Sequence, residues 1–283
     1  MFVINLGTHS KETICMRNKY LIWTNYSRKV RILAAKMLLR FGIPLLNTKK
    51  FDGFFIKFRA TTFLEYFLRA EESYSRETVT VHWIRNCISG SDVVLDIGAN
   101  VGAYSLLIGK KIEHSGGKVY AVEPEAGNFH SLNVNICLNN LSGTVFPYCF
   151  AIGDERRVSE FFLSSLEVGS SMHSIDQPVS GNENFKSKHI QGVLVESLDT
   201  FLEEPGISFP NHIKIDVDGS EKMIVENMRK TLEDSRCRSI MIEVEISLSE
   251  GQIEQTLEAF GFKETMRERM GGRENFNILF ERV

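Results

Sequence analysis

Apolar and polar positions repeat along this chain with two periods that take turns from residue 78 onward. "TVTVHWIRNCI" (78–88), "VGAYSLLIGKKI" (101–112) and "NFHSLNVNICLNN" (128–140) have helical spacing, while "DVVLDIG" (92–98), "KVYAVEPE" (118–125) and "TVFPYCFAIG" (144–153) read as short strands. The alternation stops over 154–196, where "RRVSEFFLS" and "HIQGVLVES" flank a Gly/Ser/Asn-rich stretch and predict a strand pair around a loop, inserted beside the sheet edge. It resumes with the strand "HIKIDVDG" (212–219), a helix to about Leu232, the strand "RSIMIEVE" (238–245) and the helix "EGQIEQTLEAFG" (250–261). Strand–helix alternation predicts a parallel sheet with right-handed crossovers. The last two strands, 262–268 and 275–283, are separated only by the turn-rich "RMGGRE" and predict an antiparallel hairpin. That ending sets the chain apart from a dinucleotide-binding Rossmann domain.

A different pattern precedes this region. "SRKVRILAAKMLLRFG" (27–42) places Val30, Leu33, Ala34, Met37, Leu38 and Phe41 on one helical stripe, with Arg28, Lys29, Arg31, Lys36 and Arg40 largely elsewhere. The stripe is expected to dock on the rest of the chain or on a second subunit, a homodimer; attraction to an anionic membrane surface or a polyanionic substrate is the alternative. Charge divides the sequence at about the same place. Residues 1–69 hold 13 Lys and Arg against three acids, a net of +10, and the remainder carries −13. The acidic remainder and the absence of aromatic–basic interleaving argue against a nucleic-acid groove. The chain therefore reads as a basic, partly helical extension (1–74) followed by an alternating α/β domain (75–283). Five scattered cysteines suggest neither a zinc site nor a disulfide framework, and no stretch has signal-peptide or membrane-span character, so a cytoplasmic setting is expected.

The candidate chemistry starts at "VVLDIGANVG" (93–102). In an open parallel sheet, ligands sit beyond the carboxyl ends of the strands, and the first loop brings backbone closest to them. Gly98, Asn100 and Gly102 fall in that loop; glycine admits positive φ, and Asn is the non-glycine residue that best tolerates the left-handed region. The fingerprint G-x-G-x-x-G is not met, because Asn100 and Ala103 replace its second and third glycines, so a cofactor without a pyrophosphate is expected. Asp96 ends the strand and either receives a cationic amine or organises the loop. Glu123 ends "VYAVE", where a carboxylate accepts hydrogen bonds from ribose hydroxyls.

"VVLDIGANVGAYSLL", "VYAVEPE", "AIGDE", "ESLDTFL" and "IKIDVDGSE" together resemble, in order and spacing, the FkbM family of S-adenosylmethionine-dependent methyltransferases, over about residues 75–281. The resemblance implies an α/β class I methyltransferase fold, a Rossmann-like, mostly parallel seven-stranded sheet. It also implies methyl transfer, usually to a hydroxyl of a sugar, polyketide or similar metabolite. Carried over position by position, it implies that Asp96, Gly98, Asn100 and Gly102 line the methionine end and sugar of S-adenosylmethionine, Tyr104 and Ser105 start the helix behind it, and Glu123 holds the ribose. Asp154 is a candidate for the adenine amine, with a turn aspartate as the other reading. Asp218 stands where the family more often has glutamate.

Period-two alternation sends Lys214, Asp216 and Asp218 to one side of their strand. Asp216 is the expected base for the acceptor hydroxyl, with Lys214 as a catalytic partner or simply the ion-pair partner of Glu243 or Glu245; Asp218 and Glu221 are candidates for acceptor contact. A divalent metal on Asp216, Asp218 and Glu243 is a less favoured alternative, and His173 an alternative base on a loop. A nicotinamide oxidoreductase and a non-catalytic interaction module are the competing classes, which predict NAD binding and no cofactor turnover respectively.

Overall fold

The computed structural model describes residues 28–180, 183–271 and 274–283. Its centre is a seven-stranded sheet built from β3 (Val93–Ile97), β4 (Lys118–Val122), β5 (Val145–Tyr148), β12 (His212–Ile215), β13 (Ser239–Glu245), β14 (Phe262–Met270) and β15 (Asn275–Arg282). The order is β14-β15-β13-β12-β3-β4-β5, and only β15 runs against the rest. From β3 the chain first builds β4 and β5 to one side and later returns to place β12 on the other. The switch point therefore lies between β3 and β12, where such sheets bind ligands. Mixed α/β architecture with this strand order is that of a class I methyltransferase.

Alternation within the strands divides the core into two layers. Val94, Val119, Ala121 and Met241 face one layer with α3 (Thr78–Asn86), α4 (Ala103–Ile112) and α5 (Ala126–Leu138), around Trp83, Leu106 and Leu132. Leu95, Ile97, Ile213, Ile215 and Ile242 face the other, against α6 (Leu198–Glu203), α7 (Glu221–Glu226), α8 (Arg229–Glu233) and α10 (Gln252–Ala259), which follows the short α9 (Ile246–Ser249). No helix of the described residues is long and apolar enough to cross a membrane.

The segment "TVFPYCFAIG" is two strands instead of one. Pro147 has no N–H to donate, which suits it only to the sheet edge, and after Tyr148 the chain leaves the sheet. It re-enters as β6 (Ala151–Gly153) in a second sheet of order β6-β11-β7-β8, formed with β7 (Arg157–Leu163), β8 (Ser174–Ile175) and β11 (His189–Ser197). The expected insertion pair is β7 with β11, antiparallel from His189↔Leu163 to Val195↔Arg157. Two-residue strands β9 (Val179–Ser180) and β10 (Glu183–Asn184) pair at its tip.

The region before residue 78 holds more than a helix. After α1 (Arg28–Arg40) come β1 (Leu45–Phe51) and β2 (Phe54–Ala60), joined by Asp52 and Gly53 at φ 50° and 83°, the backbone of a type I′ Asp-Gly hairpin turn. A π-helical stretch, Glu65–Glu72, and α2 (Ser73–Arg76) lead into the sheet domain. Ile56, Phe58, Ala70 and Tyr74 lie in the same buried cluster as Trp83. Asn135 of α5 and Asn139 at its C-cap accept the Arg59 and Lys57 N–H groups, each at 2.9 Å. The apolar stripe predicted on α1 is not its buried face: Ala35 and Leu39 pack inward against Ala60 and Tyr66, while Val30, Leu33 and Met37, with Phe41 just past the helix end, stand in solvent.

Candidate active site

A cavity of about 470 Å³ opens at the switch point, within the size range of small-molecule sites. The loop after β3 forms its floor. Gly98 (φ 79°) and Asn100 (φ 51°) reverse the chain there; Gly98 and Ala99 donate to the Val122 carbonyl, each at 3.0 Å, and bind the loop to the end of β4. A Cβ on Gly98 would stand 1.8 Å from the Asp216 carbonyl oxygen, so the glycine is needed for backbone-to-backbone contact between the ends of β3 and β12 as well as for the approach of a ligand. Gly102, at φ 92°, caps α4 beneath Leu132 and does not reach the cavity.

Glu123 faces the cavity from the end of β4 and is almost fully buried. Its Oε2 accepts the Asn100 N–H at 2.8 Å and its Oε1 the Glu125 N–H at 2.9 Å. Each oxygen keeps a lone pair for a further donor, as two adjacent ribose hydroxyls would require. Burial pushes its pKa up to about 7 despite those bonds. Val122, Pro124, Ala151 and Ile152 supply apolar wall beside it.

Asp96 and Lys214 are neighbours in register on β3 and β12, on the face turned toward α4. This places them under the cavity instead of in it. Asp96 is buried, accepts the Ser105 hydroxyl at 2.5 Å through Oδ2, and lies 3.8 Å from Lys214 Nζ. Ser105 and Tyr104 belong to the same underlayer; the Tyr104 hydroxyl donates to the Ser73 carbonyl at 3.0 Å and its ring lies 5.4 Å from the Lys214 ammonium. Burial opposes that ammonium, but Asp216, Asp96 and Glu77 outweigh it and hold the Lys214 pKa above the ordinary lysine range. A lysine so held is no base at neutral pH. Its partner is Asp216 Oδ2 at 2.7 Å, and neither Glu243 nor Glu245 takes that place.

Asp216 is the first residue past β12, and its carboxylate reaches the cavity. Asp218 (φ 59°) lines it as well, accepting the Met172 N–H at 2.5 Å; burial and Asp216 push its pKa up to about 6. Glu243, bonded at 3.2 Å by the Asn275 amide, is held above the ordinary carboxyl range by burial and by Asp216 and Glu77, which favours its protonated, donating form. Glu221, expected near the acceptor, turns back instead: it accepts the Val217 and Gly219 N–H groups at 3.1 and 3.0 Å and stabilises the loop that presents Asp216 and Asp218. Among the described residues, no three His, Cys, Asp or Glu side chains form a group that could hold a metal ion; Asp216, Asp218 and Glu243 are no such set.

His173 lies in the cavity wall, buried, not on an exposed loop. Its Nδ1 accepts the Ser164 N–H at 3.2 Å, which assigns the proton of the neutral ring to Nε2, near the Ser170 hydroxyl at 3.3 Å. With burial pushing its pKa down to about 4, the ring is a wall residue whose basic nitrogen is occupied. Asp154 lies outside the cavity, half-exposed and paired with Arg157 at 3.3 Å.

Several lining residues carried no sequence signal. Leu68 and Arg69 come from the π-helical stretch, Arg76 ends α2 and Glu77 follows it. Arg69 Nε donates to the Gly169 carbonyl at 2.9 Å, and Thr62 to that of Val168 at 2.6 Å. From the other side Asn100 donates to the Ser170 carbonyl at 2.8 Å and Asn128 accepts the Gly169 N–H at 2.7 Å. The 165–173 loop is thus fastened across the cavity from both sides.

These buried acids set a pH dependence. A carboxyl whose pKa is higher in the folded chain binds protons that the unfolded chain has released, so its contribution is lost as pH rises through the folded value. Glu123 and Glu221 (each about 7), Asp218 (about 6) and Glu243 (about 9) all act this way. His173 and His212, pushed down to about 4, act oppositely between there and the ordinary histidine value, because the unfolded chain protonates first. The four acids outweigh the two histidines below the ordinary histidine value and act alone above it, so the melting temperature of the ligand-free protein is expected to fall as pH rises from about 5 to about 9, as scanning calorimetry across that range would show.

With this geometry in hand, comparison with known proteins gives a direct result: a sequence model of the family described as "Methyltransferase FkbM domain" matches residues 96–266. The chain belongs to the FkbM methyltransferase family. Relatives within reach are distant. The 31-O-demethyl-FK506 methyltransferase FkbM of Streptomyces tacrolimicus is 26% identical over 193 residues, 60% of this chain and 72% of that protein. The hexuronic acid methyltransferase AglP of Haloferax volcanii is 25% identical over 142 residues, 50% of this chain and 52% of that one. A crystal structure of methyltransferase FkbM from Methylobacillus flagellatus KT superposes with a TM-score of 0.46 at 16% identity, over 69% of this chain and 44% of that chain. This chain thus spans only part of the relatives it matches, about half of the second and less than half of the crystallised one.

Proposed function

We propose that this methyltransferase uses S-adenosylmethionine to methylate a hydroxyl oxygen of a polyhydroxylated acceptor, a sugar, glycan or similar metabolite. The observation that carries the reading is the Asp216 carboxylate, set at the switch point beside the Gly98–Asn100 loop and steadied from below by Lys214. The residues present fit the cofactor: a cavity of small-molecule size, a glycine-bearing loop at its floor, free lone pairs on Glu123 and apolar wall at Val122 and Ile152. Gly98 and Asn100 would border its methionine end, Glu123 its ribose, and Ala151 and Ile152 its base.

S-adenosylmethionine supplies a methyl group on a sulfonium, already activated for transfer, so alignment and deprotonation are left to the protein. Lys214 holds Asp216 Oδ2, leaving Oδ1 to take the proton of the acceptor hydroxyl as its oxygen gains the methyl. Protonated Glu243 donates where Asp218 accepts, a mixed set suited to an acceptor with several hydroxyls. Relatives whose names specify an oxygen of FK506 and a hexuronic acid support an oxygen acceptor of this kind. The described cysteines are all free, which supports placing the protein in a reducing compartment such as the cytoplasm.

The test is calorimetric binding of S-adenosylmethionine against NAD, followed by transfer of labelled methyl to panels of sugar, amine and thiol acceptors. Binding of S-adenosylmethionine but not NAD, with label on hydroxyl acceptors, is expected; NAD binding, or label only on nitrogen or sulfur, would overturn the reading. In the same assay Glu123→Ala is expected to weaken cofactor binding by roughly 1.5–3 kcal/mol, the scale of lost hydrogen bonds to a charged group.

A further inference from the structure

The face of α1 opposite its docked side has no cover among the described residues. Leu33 is 62% exposed, Met37 56% and Phe41, just past the helix end, 76%, with Val30 and Ile43 each at 48%. At helical spacing Val30, Leu33, Met37 and Phe41 form one stripe, and Lys29, Lys36 and Arg40 run along one flank of it. None of these three cations has an ion-pair partner among the described residues, in contrast to Arg28 on the docked side, which pairs with Glu72. The neighbouring hairpin repeats the composition. Its outward positions include Leu46 and Phe55, both exposed, and Lys50, whose ammonium lies over the Phe55 ring. Over residues 28–59, nine Lys and Arg face a single acid, Asp52.

We propose that this face docks on an anionic lipid surface. Apolar side chains flanked by cations match the layered chemistry of a bilayer interface, where acyl carbons take the stripe and acidic headgroups take Lys29, Lys36 and Arg40. Charge decides against the other occupants. Two copies paired through this face would set like cations against each other. Residues 1–27 carry three cations and one acid, the same sign again. The −13 on residues 70–283 completes the argument: an anionic surface repels that part and attracts the other, so the molecule is turned with α1 toward the lipid. Docking there leaves the fold intact, because Ala35 and Leu39 already anchor the helix on Ala60 and Tyr66 through its other side.

The experiment is co-sedimentation of the full chain with vesicles of phosphatidylcholine alone and of phosphatidylcholine with phosphatidylglycerol, alongside light scattering in the absence of lipid. Binding to the anionic vesicles is expected to be at least about tenfold tighter and to weaken with added salt. The double variant Leu33→Ser, Phe41→Ser is expected to lose that binding while its S-adenosylmethionine affinity and melting temperature stay unchanged. Equal binding to both vesicle types, no binding to either, or undiminished binding by the double variant overturns the proposal. So does a wild-type chain that is dimeric in solution and becomes monomeric with the double substitution, since a second copy would then be the occupant.

Discussion

Asp216→Asn is expected to lower the single-turnover rate of methyl transfer by roughly 100-fold or more, the usual worth of a positioned base, while S-adenosylmethionine affinity changes by no more than a few-fold. Asparagine keeps the shape and can still accept from Lys214, but it cannot take a proton. The substitution also leaves the buried Lys214 ammonium without its ion-pair partner at 2.7 Å, with Asp96 at 3.8 Å and the charge of Glu77 remaining. Some loss of melting temperature therefore accompanies the loss of rate, and the two are read separately by running turnover well below the melt. Lys214→Met, which removes the support and leaves the base, is expected to cost less rate and more stability. A loss of cofactor affinity as large as the loss of rate would show instead that Asp216 is a cofactor ligand.

The largest effect on the fold is expected at Gly98. Alanine there must hold φ 79° and place its Cβ against the Asp216 carbonyl, a backbone atom that no rotamer change can move. The two penalties together come to roughly 3–5 kcal/mol, a large share of a typical domain's stability. Gly102→Ala provides the comparison: its φ of 92° is as unfavourable, but the atom it meets, Leu132 Cδ1, ends a flexible side chain, so its cost is expected to be clearly smaller. Chemical denaturation of both variants measures the difference. Gly98→Ala should also lose activity, because separating the ends of β3 and β12 moves the base away from the loop.

Much of this arrangement was legible in the sequence, and the rest was hidden for physical reasons. Strand and helix periods gave the sheet and its closing hairpin because burial on both faces leaves long apolar runs. The Asp52-Gly53 turn is a plain hairpin signal, but "LLNTKKF" and "FFIKFRA" do not alternate cleanly, so no period-two pattern marks the strands beside it. On α1 the spacing named an apolar stripe correctly and the buried face wrongly, since Ala35 and Leu39 are apolar too and only tertiary contact chooses between two such faces. At the site, period two put Lys214, Asp216 and Asp218 on one side of their strand, yet only the two beyond the strand end reach the cavity. Glu77 and Arg69 arrive from outside the matched family region and no local pattern marks them.

The loop across the cavity has an evolutionary consequence. Its backbone is tied to Asn100 and Asn128 near the cofactor end and, through Met172, to Asp218 near the base. A change of that loop's length or backbone path alters the acceptor's wall and the groups around the donor together, so such drift is penalised twice. Arg76 and Met270 also border the cavity but lie outside this web of ties. New acceptor preferences in descendants of this chain should accumulate first at such positions, with the 165–173 loop as the slowly changing part of the pocket.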